Sequence, residues 1–179
     1  VLRVGRNGGT GVLNALNNGN ILVENSSTGS AVLDVGRDAG SDGTLTANDG
    51  STVSIATSGL GAGTSSINIG RDGSTGIATF DNSALTVGDF LSVGRNGTGI
   101  LTLQNGAIAT NTDAAGLTRI GREGGTGTLE VVSGSSLTAN NLRLGSDTGS
   151  TGTVTVDSGA TINLTDTVQV GQDSATANT

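Results

Sequence analysis

The sequence predicts an all-β fold: a parallel β-helix, or β-solenoid, of about seven coils with three short strands per coil. Three observations predict this fold. The 179 residues include 32 glycines and no proline. A short motif, in which two apolar residues flank any residue and a glycine follows, recurs along the whole chain. Each of the first six occurrences is followed by two further alternating runs in the same order, which is typical of a solenoid whose coils stack like residue on like. We therefore treat residues 1–179 as a single repeat domain.

The motif predicts the first strand of each coil. Its successive glycines are separated by 31, 34, 24, 27, 24 and 26 residues. Alternation with a period of two favours a strand, and a helix is disfavoured because each interior glycine would cost about 1 kcal/mol relative to alanine. The seven occurrences are Leu2–Gly5, Leu33–Gly36, Ile67–Gly70, Leu91–Gly94, Thr118–Gly121, Leu142–Gly145 and Val168–Gly171.

Two further runs predict the second and third strands. The second run opens at another glycine, five to seven residues after the first: Gly11, Gly43, Gly76, Gly99, Gly127 and Gly152. The third lies around Ile21, Val53, Leu85, Ile108, Leu137 and Ile162. Stacking then predicts two inward apolar columns, Val4-Val35-Ile69-Val93-Ile120-Leu144-Val170 and Leu13-Leu45-Ala78-Leu101-Leu129-Val154. Glycine at the corners tolerates the positive φ that a tight corner needs, and a stacked strand has no place for proline.

Two irregularities interrupt the pattern. The longer intervals place insertions after the third strand, at Glu24 to Ser30, Ala56 to Thr64 and Asn111 to Gly116, so we expect all three at one corner. In the fifth coil Thr118 occupies an inward position that holds an apolar residue in the other coils. We expect a local bulge there.

Two other fold classes are compatible with the composition but do not explain the order of the residues. With 33% hydrophobic residues and a mean hydropathy of zero, the chain resembles a disordered low-complexity segment in composition alone. A β-sandwich would supply many short strands and turns. Neither alternative explains why three alternating runs return in the same order in every unit.

Composition excludes several function classes. The chain has no histidine, cysteine or lysine, which removes the usual nucleophiles and bases, zinc and haem ligands, and disulfides. Two aromatic residues and a net charge of −7 argue against nucleic acid as a partner. Its apolar runs are too short to insert in a membrane as helices. No charged region followed by an apolar run opens the chain, so we expect any export signal to lie outside this segment.

The charges predict columns at one corner. Five arginines directly follow the motif glycine, and the other three, Arg3, Arg119 and Arg143, lie two residues before it. The next position is acidic or amide: Asn7, Asp38, Asp72, Asn96, Glu123, Asp147 and Asp173. We expect an ion-pair ladder that fixes coil register. The alternative is a stripe that binds acidic glycans or another anionic surface, formed by Arg6, Arg37, Arg71, Arg95, Arg122, Asp38, Asp72 and Glu123.

The sequence offers residues for three other kinds of site. Asp38–Gly43 and Asp147–Ser150 offer oxygen ligands, but neither has the spacing of a known calcium loop, so we expect no cofactor, with structural calcium as the alternative. Acids recur once per coil, and Asp89, Asp113 and Asp166 lie in different coils, so we expect no catalytic site and no enzyme. Thr44-Leu45-Thr46 and Thr153-Val154-Thr155 suit an ice-binding row, which other residue types interrupt in the remaining coils.

The repeat resembles a known family. Leu91–Leu103 and Ile120–Val131 best match the type V secretion/PEP-CTERM-associated repeat found in bacterial autotransporter passenger regions, and the resemblance covers essentially the whole chain. It implies a right-handed β-helix exported to the cell surface; right-handed crossovers are also the general preference for parallel strands. Such passengers are largely stalks or adhesive surfaces, so the resemblance does not imply one molecular activity.

We therefore expect a structural stalk or adhesive fibre segment of a secreted or cell-surface bacterial protein. Carbohydrate binding is the alternative function, and ice binding is a weaker one. The chain begins within a unit and carries no recognisable cap, so we expect a segment of a longer protein or a subunit that stacks end to end on itself. Its expected partners are thus further copies of itself or glycans at the host or cell surface.

Overall fold

The chain folds into short β-strands in a computed structural model that describes residues 1–25, 28–58, 63–111, 113, 116–157 and 159–171. These residues form strands and turns without a helix, so none of their segments is a helix long and apolar enough to cross a membrane. The strands are β1 (Leu2–Arg6), β2 (Thr10–Ala15), β3 (Asn20–Asn25), β4 (Ala31–Arg37), β5 (Asp42–Asn48), β6 (Thr52–Thr57), β7 (Ser65–Arg71), β8 (Thr75–Asp81), β9 (Ala84–Val87), β10 (Phe90–Arg95), β11 (Thr98–Gln104), β12 (Ile108–Asn111), β13 (Leu117–Arg122), β14 (Thr126–Val131), β15 (Ser136–Ala139), β16 (Asn141–Leu144), β17 (Thr151–Val156), β18 (Thr161–Leu164) and β19 (Val168–Val170).

Successive strands belong to three different parallel sheets. Sheet A has the order β1-β4-β7-β10-β13-β16-β19, sheet B the order β2-β5-β8-β11-β14-β17, and sheet C the order β3-β6-β9-β12-β15-β18. The chain therefore visits A, B and C in turn and then starts the next coil. Among the described residues this gives six complete three-strand coils and one further strand of sheet A. The all-β solenoid prediction is confirmed, and the parallel pairing excludes a sandwich.

Both predicted apolar columns are present. In sheet A, Val35 pairs with Val4 on one side and with Ile69 on the other, and the ladder continues in the same register to Leu144. In sheet B, Leu45 pairs with Leu13 and with Ala78. Inner members such as Val35 and Leu45 are fully buried, whereas Val170 in the last strand is 75% exposed. Each fully buried Val, Leu or Ile contributes roughly 1.5–3 kcal/mol, so a few per coil provide a core.

Large and small residues compensate each other in the core. Phe80 is the bulkiest fully buried side chain, and it lies in register with Ala47 of the preceding coil. Two residues before Phe80, the inward position of the same strand is Ala78, where the neighbouring strands carry Leu45 and Leu101. Small residues at these two positions offset the volume of the ring, as a close-packed core requires.

Two glycines form the corner between sheets A and B. The motif glycine has φ between 58° and 74° in all seven occurrences, a region that L-residues rarely adopt. It also packs against backbone: a Cβ added at Gly36 would lie 2.2 Å from the Thr75 carbonyl oxygen of the next coil. The second glycine is needed because the backbone of the first passes too close to it for a side chain: a Cβ on Gly76 would lie 2.2 Å from the Gly70 amide nitrogen. Both glycines are therefore dictated by close backbone contact.

The predicted insertions all connect sheet C to sheet A. They join β3 to β4, β6 to β7 and β12 to β13, so they share one corner as expected. Their predicted bounds were too wide, because Glu24 and Ala56 are a register pair within β3 and β6. Residues 26–27, 59–62, 112 and 114–115 of these segments lie outside the described residues.

The bulge expected at Thr118 is not found. Thr118 pairs in unbroken register with Leu91 and with Leu142, and its side chain is fully buried in the inward slot. Its Oγ1 accepts a hydrogen bond of 3.2 Å from Nδ2 of Asn111, which is also buried. A polar partner inside the core thus satisfies the hydroxyl, and no backbone distortion is needed to remove it from the core.

This internal pair predicts a non-additive stability effect. Replacing Thr118→Val leaves the buried Asn111 amide without its acceptor, so we expect a loss of about 1–3 kcal/mol. The double variant with Asn111→Leu replaces both polar partners, and we expect it to recover most of that loss. Urea unfolding of the wild type, both single variants and the double variant measures the coupling. Additive single-variant effects would contradict it.

The third strand of the fourth coil begins at Ile108, where the sequence predicts a strand, but its inward position is the next residue. Ala109, not Ile108, lies in register with Leu85 and Leu137 and is fully buried. Ile108 is 53% exposed. Because side chains alternate along a strand, the register of the neighbouring coils decides which face Ile108 occupies, against its own hydrophobicity.

Candidate arginine-lined site

All eight arginines lie on strands of sheet A, in two register columns. The arginine column contains the five residues that follow the motif glycine, Arg6, Arg37, Arg71, Arg95 and Arg122, which the strand register stacks one per coil. The variable column, three residues earlier in each strand, contains Arg3, Asp34, Asn68, Ser92, Arg119, Arg143 and Gln169. Neighbours within a column are about 4.8 Å apart, the spacing of paired strands. Without anions between them, such arginines would repel one another.

In the first three coils a buried carboxylate neutralises the arginines. Asp34 is fully buried, and its Oδ2 lies 3.1 Å from Nη1 of Arg37 and 3.6 Å from Nε of Arg3. Its Oδ1 lies 3.6 Å from Nη1 of Arg71 and accepts a hydrogen bond of 2.9 Å from Nδ2 of Asn68. Sequence reasoning missed this residue, because it concentrated on the acids that follow each arginine.

In the first three coils, the acids that directly follow the arginine column also form ion pairs, both between coils and within one coil. Asp38 accepts from Nε of Arg6 at 3.2 Å across a coil boundary and lies 3.6 Å from Nε of Arg37 in its own coil. Asp72 pairs with Arg71 at 3.0 Å. Asp38 and Asp72 have φ of 70° and 57°, so this position is also a left-handed turn position, where Asp and Asn are the favoured non-glycine residues. The last predicted member, Asp173, lies outside the described residues.

In the fourth and fifth coils the arginines outnumber their acids. Glu123 accepts a hydrogen bond of 2.8 Å from Nε of Arg95 and also pairs with Nη2 of Arg122, so one carboxylate serves two cations. Asp147 accepts instead from the backbone amide of Glu123, at 2.9 Å. Across the described residues, neither Arg119 nor Arg143 has a carboxylate within the 4.0 Å of an ion pair.

The crowding of cations changes their titration. Burial, together with the charges of Arg122 and Arg143, lowers the pKa of Arg119 to about 10. Burial and the charge of Arg95 likewise lower the pKa of Arg122. Arg119 remains a cation at neutral pH, but its charge is unfavourable in the folded state. Its guanidinium lies 5.7 Å from the centroid of the Phe90 ring, a cation–π contact.

A groove of about 370 Å³ lies over this part of sheet A. Ser92 and Asn68, 2% and 4% exposed, are the most buried of its lining residues. Among the residues that the structure describes, no acidic side chain lines the groove. Nε of Arg122 is buried away from solvent and has no hydrogen-bond partner in this part of the chain. The lining residues are Ser30, Val32, Thr64, Ser66, Asn68, Arg71, Phe90, Ser92, Arg95, Arg119 and Arg122.

Glu123 predicts an acid-dependent contribution to stability. Burial alone would raise its pKa, but the hydrogen bond from Arg95 and the charge of Arg122 outweigh burial and lower the pKa below 4.5. A lowered folded-state pKa means that the carboxylate stabilises the fold above about pH 4.5 and that this contribution is lost as the pH falls through the folded-state value. We expect Glu123→Gln to lower Tm at pH 7 and to have a smaller effect near pH 3. Equal effects at both pH values, measured by thermal unfolding, would contradict this.

The geometry gives little support to a calcium site in the two oxygen-rich loops or to an ice-binding threonine row. In the two oxygen-rich loops, Asp38 and Asp147 already accept hydrogen bonds from Arg6 and from the Glu123 amide. Throughout the described part of the chain, no group of three or more potential ligands suits a metal ion. In sheet B the row of paired positions that contains Thr44 and Thr153 is interrupted by Ile77 and Ile100, as the sequence indicated.

The three acids outside the columns serve different local roles. Oδ2 of Asp89 accepts from the amide and the hydroxyl of Ser65, at 2.6 and 2.8 Å. Asp166 accepts from the hydroxyl of Thr167. Asp89 and Asp113, which the sequence placed in different coils, line one groove of about 360 Å³ beside the C-to-A corner. Because Oδ2 of Asp89 already accepts two hydrogen bonds from Ser65, this carboxylate holds the two coils together and is not poised for catalysis.

Comparison with known proteins identifies no relative of this chain. A scan against known family models found no match, and searches of curated proteins and of solved structures found none either.

Proposed function

We propose that this chain is a structural segment: a stalk or adhesive fibre segment of a secreted or cell-surface bacterial protein, akin to the autotransporter passenger regions that its repeat resembles. One observation carries the proposal. The three parallel sheets run through the described chain from its first coil to its last, so each coil supports the next. Six intervals of strand spacing give a stack of about 30 Å, and added coils would lengthen it without changing its cross-section.

The side chains support the same proposal. The apolar columns and many polar contacts join neighbouring coils, as in the hydrogen bonds Arg6–Asp38 and Asn20–Thr52. Such contacts hold the coils in register along the axis, which a load-bearing spacer needs. In repeat folds of this kind each unit contacts only its neighbours, so stability accumulates coil by coil.

Single-molecule pulling between the two ends tests the mechanical part of the proposal. A spacer should keep its length under load and then lose coils in discrete steps. One 24-residue coil should release about 80 Å, since an extended residue spans about 3.3–3.6 Å. Steady lengthening at low force without steps would overturn the stalk proposal.

The location needs a separate measurement. Antibodies against this segment, applied to intact producing cells and to lysed cells, should label both preparations equally. Labelling only after lysis would overturn a surface or secreted location, whatever the pulling experiment shows.

A further inference from the structure

The variable column changes character along the axis. In the second coil it holds Asp34, which lies between Arg37 of its own strand and arginines of the two adjacent coils. Two coils later the equivalent residue is Ser92, and the next is Arg119. Ser92 also has arginines around it: Arg95 three residues on in its own strand, and Arg119 and Arg122 in the next coil. The arginines are therefore retained while the internal anion is missing.

This difference leaves a local excess of positive charge in an acidic chain. The groove presents Arg71, Arg95, Arg119 and Arg122, and none of the carboxylates that pair with three of them is among the described residues that line it. The net charge of the whole chain is −7. Holding the half-buried guanidinium of Arg119, which has no ion pair, beside other arginines costs free energy, and its lowered pKa is one sign of that cost. An anion from outside would offset it.

We propose that this groove binds the carboxylate or sulfate group of an acidic saccharide. The guanidinium of Arg119 supplies donors for an oxyanion, and arginine suits planar or multidentate oxyanions because its donors form a fixed fork. Hydroxyl and amide groups of Ser66, Ser92 and Asn68 line the same groove. They match sugar hydroxyls. A volume of about 370 Å³ is at the lower end of the range for small-ligand sites.

The site requires no property of the stack as a whole. A stalk without this groove would still be a stalk, and the groove could bind its ligand in a short fragment. Failure of the binding experiment would therefore leave the pulling experiment unaffected, and the reverse also holds.

Calorimetric titration of the protein tests the proposal with four probes: a glucuronate-containing disaccharide, a sulfated disaccharide, a neutral disaccharide of the same size, and inorganic sulfate. We expect both acidic disaccharides to bind, the neutral one not to bind, and inorganic sulfate to bind at least about tenfold more weakly than either. Affinity should fall as salt rises, because charge pairs near the surface are screened. Lack of binding by both acidic disaccharides would overturn the proposal. Equal affinity for inorganic sulfate would overturn the saccharide ligand, leaving a simple anion site.

Two variants locate the site, and a third is the matched control. Arg119→Gln removes a donor that has no ion pair to lose, and we expect affinity to fall about tenfold or more. Arg6→Gln removes a member of the arginine column outside the groove, and we expect affinity to stay within about twofold. Equal losses in the two variants would mean a non-specific charge effect and would overturn the groove assignment.

Ser92→Asp supplies the missing anion from within. The new carboxylate would take the place that Asp34 holds two coils earlier, between the arginines of its own and the next coil. We expect acidic saccharides no longer to bind and Tm to rise at low salt, because the internal anion replaces the external one. Unchanged binding by a folded Ser92→Asp variant would overturn the proposal.

Discussion

Gly70→Ala is expected to destabilise the fold by at least about 3 kcal/mol, enough to unfold a marginally stable chain. Two causes act together. Gly70 has φ of 71°, where an L-residue costs about 1–2 kcal/mol. In addition, its Cβ would lie 1.9 Å from the carbonyl oxygen of Thr98 in the next coil, which belongs to the backbone and cannot rotate away. Relief requires the two coils to separate at this corner.

Gly106→Ala is the matched control. Gly106 has φ of 82°, but no atom lies within 4 Å of an added Cβ. We expect this variant to lose only the conformational part, about 1–2 kcal/mol. Urea unfolding monitored by far-UV circular dichroism compares the two. Similar losses would show that positive φ, rather than contact between coils, dictates the corner glycine.

Asp34→Asn is expected to cost about 3–5 kcal/mol, because it removes the only charge of a fully buried anion and leaves its cations uncompensated. The variant preserves side-chain shape, so packing changes little. It places amide hydrogens at one of the two oxygen positions to which Arg3, Arg37 and Arg71 now direct their donors. Both the lost attraction and the new donor–donor contacts act against the folded state.

Asp72→Asn provides the comparison. The Asp72 side chain is 38% exposed and pairs with Arg71 at 3.0 Å, and exposed pairs contribute about 0–1 kcal/mol. We expect its loss to lie in that range and to shrink at high salt. Adding Arg3→Gln to Asp34→Asn should recover part of the stability, since Asp34 is the carboxylate with which Arg3 pairs and its loss leaves that cation uncompensated. If Asp34→Asn cost no more than Asp72→Asn, the buried carboxylate would not be the anion that holds these coils together.

The repeating part of the fold could be predicted from the sequence, because every coil gives the same information again. The motif glycine, the second glycine and the columns through Val35 and Leu45 follow directly from periodicity. Features that depend on a single coil could not be predicted in this way. Ile108 is exposed because its neighbours fix its register, and Thr118 is tolerated because Asn111, seven residues earlier, reaches it across the core.

The candidate site shows the same division. The arginine column was visible because five residues share one position after a glycine. The burial of Asp34 and the groove over Ser92 were not visible, since both depend on side chains from different coils meeting on one face. An acid or a serine between two apolar residues has the same local sequence pattern whether its side chain is buried or exposed to solvent. Aligning the coils on the motif glycine, and comparing charge at the position three residues before each arginine, would have revealed the change from Asp34 to Ser92 and Arg119.

At the corner between sheets C and A the length of the connecting segment varies without changing how the strands pair. Sheet-C and sheet-A strands keep residue-for-residue pairing on both sides of it, although the connecting segments vary from one residue, between Ala139 and Asn141, to seven, between Thr57 and Ser65. Insertion and deletion at this corner are therefore decoupled from the ladder. A foreign peptide cassette grafted there would be carried at a chosen height on the coil stack, which makes this chain a scaffold for presenting epitopes at intervals set by the backbone itself.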